Sequence, residues 1–191
     1  MTRLVLLIVI GMGALGSDVA AQPSLLQSFD FGSFIETQEV VDLDGDPWPD
    51  LIYTAVGSAA VHVAHGSISG FGAPESLSVG FQPSAIAASD RTGDGVRELV
   101  IARFQPSTLF VYGASPSGWV LVDSFDPGGA PSALASADFD LDGWEDLAVG
   151  IQTTGGLDVG RVAVFFGGVS TPPPSLEVRE DPVDIVVEDV T

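Results

Sequence analysis

The chain has 191 residues, with six basic side chains, all Arg, against 26 Asp and Glu, for a formal net charge of −20 and an isoelectric point near 4.1. A field that negative repels phosphate backbones and anionic bilayers, which argues against nucleic acid and membrane surfaces as partners. At 46% hydrophobic and 17% charged the composition is that of a globular chain and not of an acidic disordered tail, and the absence of cysteine removes disulfides, thiolate metal sites and cysteine nucleophiles together.

Residues 1–21 open with Arg3, run through an apolar stretch from Leu4 to Leu15 and end small and polar before Val19, Ala20 and Ala21. That order predicts a secretory signal peptide cleaved after Ala21, with an uncleaved anchor as the rival reading; the apolar core is shorter than the ~20 residues a spanning helix needs. The expectation is an exported protein, secreted or at the cell surface, where calcium is available at levels that suit weak carboxylate sites.

Residues 22–191 repeat. Asp42-Leu-Asp-Gly-Asp-Pro-Trp-Pro-Asp-Leu51, Asp90-Arg-Thr-Gly-Asp-Gly-Val-Arg-Glu-Leu99 and Asp138-Phe-Asp-Leu-Asp-Gly-Trp-Glu-Asp-Leu147 begin 48 residues apart, and the flank Pro83-Ser-Ala-Ile-Ala-Ala-Ser-Asp90 matches Pro131-Ser-Ala-Leu-Ala-Ser-Ala-Asp138 at the same step. The units fall at about 28–75, 76–123 and 124–174, with a partial fourth at 175–191 that reaches Pro182-Val-Asp-Ile-Val-Val-Glu-Asp189. Within them, 51–56, 61–65, 99–103, 109–112, 147–151 and 162–166 are short β-branched and aromatic runs bounded by turn residues, hence strands; no window carries a helical period, and 23 Gly with 13 Pro would break one. Units of this length with several short strands predict an all-β fold of radially packed, four-stranded antiparallel β-propeller blades, with a β-solenoid as the structural alternative.

The acids concentrate in the loops between these strands. Side chains at loop positions 1, 3, 5 and 9 and the carbonyl at position 7 of such a turn converge, and a hard cation such as Ca²⁺ takes six to eight oxygens. The first loop offers Asp42, Asp44, Asp46, Asp50 and the Trp48 carbonyl, and the third Asp138, Asp140, Asp142, Asp146 and the Trp144 carbonyl. The second, with Asp90, Thr92, Asp94, Glu98 and the Val96 carbonyl, is poorer in acid and has Arg91 and Arg97 beside it, so it is expected to be the weakest of three calcium sites. A solvated acidic turn is the alternative, but it leaves crowded carboxylates to repel one another. An EF-hand would need Glu at position 12, where this chain has Tyr53, Ile101 and Val149, each inside an apolar strand.

The remaining chemistry-bearing residues are few. His62 and His65 stand three apart on a predicted strand, which points them to opposite faces and makes each an ordinary strand residue. Trp48 and Trp144 occupy matching loop positions and are expected to pack on a neighbouring blade; sugar stacking by them or by Trp119 is the alternative. The stretch from Pro172 to Pro174 reads as a stiff connector.

The three acidic loops, each followed by Leu and an apolar strand, the Phe71-Gly-Ala-Pro74 segment and Gly160-Arg-Val-Ala-Val-Phe-Phe-Gly-Gly168 resemble the FG-GAP/VCBS repeat family, over residues 28–191. Pro47 at position 6 and Leu141 at position 4 depart from the glycines often found there. The resemblance implies structural calcium sites at the outer hairpin of each blade and a non-catalytic role in adhesion or in recognition of an extracellular protein or carbohydrate. The alternative is an accessory, non-catalytic portion of a secreted polysaccharide-acting enzyme. No constellation for catalysis is present in the sequence. Propellers of this family close with about seven blades, so three and a start predict either a fragment or self-association through open blade edges.

Overall fold

The structure, a computed structural model, describes residues 34–152, 160–167, 175–177 and 185. The expected signal peptide, the Pro172 to Pro174 connector and, apart from Ile185, the partial fourth unit from Pro182 lie outside the described residues.

The described chain is all-β, in three four-stranded antiparallel sheets whose strands follow sequence order. Sheet 1 holds β1 (Ile35–Val41), β2 (Asp50–Ala55), β3 (Ala60–Ala64) and β4 (Glu75–Ser78). Sheet 2 holds β5 (Ala85–Ser89), β6 (Glu98–Arg103), β7 (Thr108–Ser115) and β8 (Gly118–Phe125). Sheet 3 holds β9 (Ala130–Ala137), β10 (Asp146–Gln152), β11 (Arg161–Phe165) and β12 (Ser175–Glu177). The 48-residue step fixes the spacing of the sheets but not their phase. The unit boundary at 75/76 falls within β4, which pairs with β3 and so closes sheet 1.

The second strand of each sheet is buried almost throughout, and in the middle sheet this is because a sheet stacks on either side of it. Strand β6 shows the period of two directly. Its Leu99 and Ile101 join Ile52, Val61 and Val63 in the core between sheets 1 and 2, while Val100 and Ala102 join Leu147, Val149 and Ile151 between sheets 2 and 3. The first strands β1, β5 and β9 lie side by side where the sheets converge. Strands β5 and β9 are built almost wholly from Ala and Ser, and small side chains let backbones approach. Hydrogen bonds then cross from sheet to sheet: Ser136 Oγ donates to Ser89 Oγ at 2.7 Å, Ser84 Oγ to the Pro131 carbonyl at 2.7 Å, and the Ala88 N–H to Glu39 Oε2 at 2.9 Å.

This is the radial arrangement of propeller blades, as an open fan of three. It corrects one expectation that followed from the resemblance. The acidic loops connect the first strand to the second, so they end the inner hairpin and not the outer one, because the strand that precedes each loop, β1, β5 or β9, packs at the point of convergence.

Candidate metal centre

All three acidic loops follow one plan. The acid at position 9 opens β2, β6 or β10, is buried, and accepts the N–H of position 2: Asp50 from Leu43 at 2.8 Å, Glu98 from Arg91 at 3.1 Å, Asp146 from Phe139 at 2.8 Å. In loops 1 and 3 its second oxygen reaches across the hairpin to the N–H of Gly66 at 2.7 Å and Gly167 at 2.8 Å. A Cβ on Gly66 would run into the Pro49 carbonyl, and one on Gly167 would stand 2.7 Å from the Glu145 carbonyl, so glycine permits this close approach. The acid at position 5 accepts the N–H of position 7, from Trp48, Val96 and Trp144 in turn at 2.7 to 2.9 Å. Position 4 is left-handed in every copy, with φ of 79° at Gly45, 70° at Gly93 and 62° at Leu141.

Position 6 separates the first loop from the others. Gly95 donates its N–H to Asp90 Oδ2 and Gly143 donates to Asp138 Oδ2, each at 2.9 Å, whereas Pro47 has no N–H to give Asp42. The convergence of acids divides the loops differently. In loop 3 Asp138, Asp140 and Asp146 bring ligand atoms within 4.8 Å of one another. In loop 1 Asp42, Asp44 and Asp46 form one such group, and Asp44, Asp50 and His65 form a second. Among the described residues, loop 2 contributes no group of this kind. There Asp90 is engaged by the N–H groups of Gly93, Asp94 and Gly95, and Glu98 by Arg91 N–H and Thr92 Oγ1.

The electrostatics carry the strain of crowded negative charge. The Asp140 carboxyl is held above its ordinary range by desolvation and by the charges of Asp142, Asp146 and Asp138. Glu98 is raised by burial foremost, against the bonds from Arg91 and Thr92, with Asp94 and Asp90 adding to the rise. A divalent cation relieves both causes by supplying charge and replacing lost solvation.

Position 8 locks the loops together. Arg97 donates to Glu145 Oε1 at 2.6 Å and to the Asp42 carbonyl at 3.0 Å, so the guanidinium spans from loop 1 to loop 3. Glu145 Oε2 in turn accepts the Asp90 N–H at 2.8 Å, and the Trp144 indole lies against Gly93, as expected for a tryptophan packed on its neighbouring blade. Trp48 sits beside Gly66 of its own sheet, and Trp119 donates from β8 to Glu75 on β4 at 2.9 Å.

Sequence reasoning missed His65. It lies just past the end of β3, and the register that pairs Leu51 with Ala64 sets it opposite Asp50, with Nδ1 3.3 Å from Asp50 and 3.5 Å from Asp44. His62, within β3, stacks on Tyr53 at 4.8 Å and pairs with Ser76 Oγ at 2.9 Å, apart from the loop. The signal for His65 was hairpin arithmetic: the residue after the third strand faces the residue that opens the second. No protein-family model matches the chain, and no curated protein matches it.

Proposed function

We propose that this chain is a secreted repeat protein of FG-GAP/VCBS type, with structural calcium sites in its acidic loops and a non-catalytic role in binding or adhesion. The observation that carries the reading is the threefold recurrence of one acidic loop at the same place in three blades, with carboxylates converging in loops 1 and 3. The charge balance supports it, since eleven of the 26 acids stand at the ligand positions of these loops. Calcium held there would tie each inner hairpin to the blade beside it through the Arg97 and Glu145 contacts. Binding to the folded state alone stabilises by about 2.7 kcal/mol at a hundredfold excess over the dissociation constant. Thermal melting in millimolar Ca²⁺ and in excess chelator tests this. A midpoint that rises with Ca²⁺ is expected, and coincident melting curves would sink the calcium reading.

A further inference from the structure

We propose that Asp44, Asp50 and His65 form a mixed nitrogen and oxygen site for a first-row transition dication such as Zn²⁺, unlike the all-oxygen cluster of loop 3. The inference rests on the reading that the acidic loops take cations and narrows it for loop 1. Three observations converge. First, Nδ1 of His65 and one oxygen each of Asp44 and Asp50 lie within 4.8 Å of one another.

Second, Nδ1 is a buried atom that makes no hydrogen bond, although two carboxylate oxygens stand 3.3 and 3.5 Å away and the ring as a whole is 43% exposed. A cation between these atoms would give the Nδ1 lone pair the partner it lacks. A tetrahedral ion at about 2.1 Å from each ligand spaces those ligands about 3.4 Å apart. An octahedral calcium ion spaces its ligands similarly, so the selectivity comes from the imidazole, a donor that suits zinc and its neighbours better than calcium.

Third, Nε2 faces Glu75 Oε1 at 3.8 Å, and that oxygen is itself held by the Trp119 indole N–H from the neighbouring sheet. At 3.8 Å this is an ion-pair distance and not a hydrogen bond; closed to one, it is the recurrent arrangement that turns an imidazole lone pair toward a metal. Neither of the other loops repeats it: the register places Gly113 opposite Glu98 and Phe166 opposite Asp146. Asp44, His65, Glu75 and Trp119 also line a cleft of about 430 Å³ between sheets 1 and 2, which supplies an entry path and room for an exchangeable ligand.

The test uses the full chain stripped with chelator and titrated with Zn²⁺, followed by imidazole ¹⁵N resonances. There are two histidines, so His62 is the internal control. The His65 Nδ1 resonance is expected to move by one equivalent of Zn²⁺ while His62 stays. His65→Ala should weaken Zn²⁺ binding at least tenfold and Glu75→Gln about tenfold, the latter keeping the calcium response of the melting curve. An unmoved His65 resonance, or equal Zn²⁺ affinity in the parent and His65→Ala, overturns the proposal. If His65→Ala does not fold, the parent's resonances and Glu75→Gln decide. Absence of a calcium response with a zinc-shifted His65 sinks the calcium reading alone and supports the mixed site. A calcium response with an unmoved His65 does the reverse.

Discussion

Glu39 gives the sharpest test of how the blades are held together. Its carboxylate accepts the Ala88 N–H at 2.9 Å where β1 meets β5, and burial raises its pKa from the usual 4.5 to about 7, against the pull of that N–H and of Arg97 and with a further push from Glu145. A raised pKa means that the folded state holds the proton more tightly than the unfolded one. The associated stability is therefore complete below pH 4.5 and is lost as the pH rises to about 7, above which the ionised, buried carboxylate carries its full cost. At 1.36 kcal/mol per unit this amounts to about 3 kcal/mol, already net of the attraction to Arg97. Glu39→Gln keeps the size and the acceptor for Ala88 but cannot ionise. In urea denaturation with chelator present, the variant should exceed the parent at pH 8 by up to about 3 kcal/mol and show no such gain at pH 4.5. An equal effect at both pH values, or a variant less stable at pH 8, would refute the reasoning.

Leu141 has a φ of 62° and is 87% exposed, so Leu141→Gly removes left-handed strain at little cost in burial and should raise the unfolding free energy by about 0.5–1 kcal/mol, read by urea titration. The glycines at the same loop position separate backbone from packing: Gly45→Ala meets nothing within 4 Å and should cost about 1 kcal/mol, whereas Gly93→Ala also drives a Cβ to 2.7 Å from the Trp144 indole and should cost more. Equal losses in the two variants would remove Trp144 from the interface between blades. Asp146→Ala strips the buried acceptor of two N–H groups and should cost about 2–4 kcal/mol even in chelator, while Asp140→Ala, which relieves repulsion, should raise the chelator-state midpoint and abolish the loop's calcium response.

The sequence made β2, β3, β6, β7, β10 and β11 legible because each is an apolar, β-branched run with turn residues at its ends. The inner strands β5 and β9 escaped for a physical reason. Ala85, Ala87, Ala88, Ala133 and Ala135 carry little β-propensity of their own, and their strand state is imposed by the packing of β5 against β9 and β1 where the sheets converge. Strand β8 escaped for the opposite reason: at the outer edge of sheet 2 its Val120, Leu121 and Val122 are all exposed, so no alternation marks it. The loops were legible as a repeat, but repeat arithmetic treats the copies as equal. Arg97 and Glu145 bridge blades at one shared position with opposite charges, and His65 stands beside the carboxylates of only the first loop; both are differences between copies, visible only once the register is known.

Those differences bear on how a cation would act on this chain. The position 9 acids are buried and committed to backbone N–H groups, and the position 5 acids pin the peptide of position 7. The loops' own carboxylates thus bond their backbone N–H groups, as in an ordinary asparagine or aspartate turn. A cation in loop 1 or loop 3 would meet carboxylates that also bond the loop's own N–H groups, and ligands ordered by such bonds favour affinity. The blade cores of Leu51, Ile52, Leu99, Ile101, Leu147 and Val149 are almost wholly excluded from solvent without any help from the loops. Chelation should therefore lower the melting midpoint and leave the sheet signal in far-ultraviolet circular dichroism intact at room temperature. Loss of that signal on adding chelator would show that the carboxylate bonds cannot hold the inner hairpins alone.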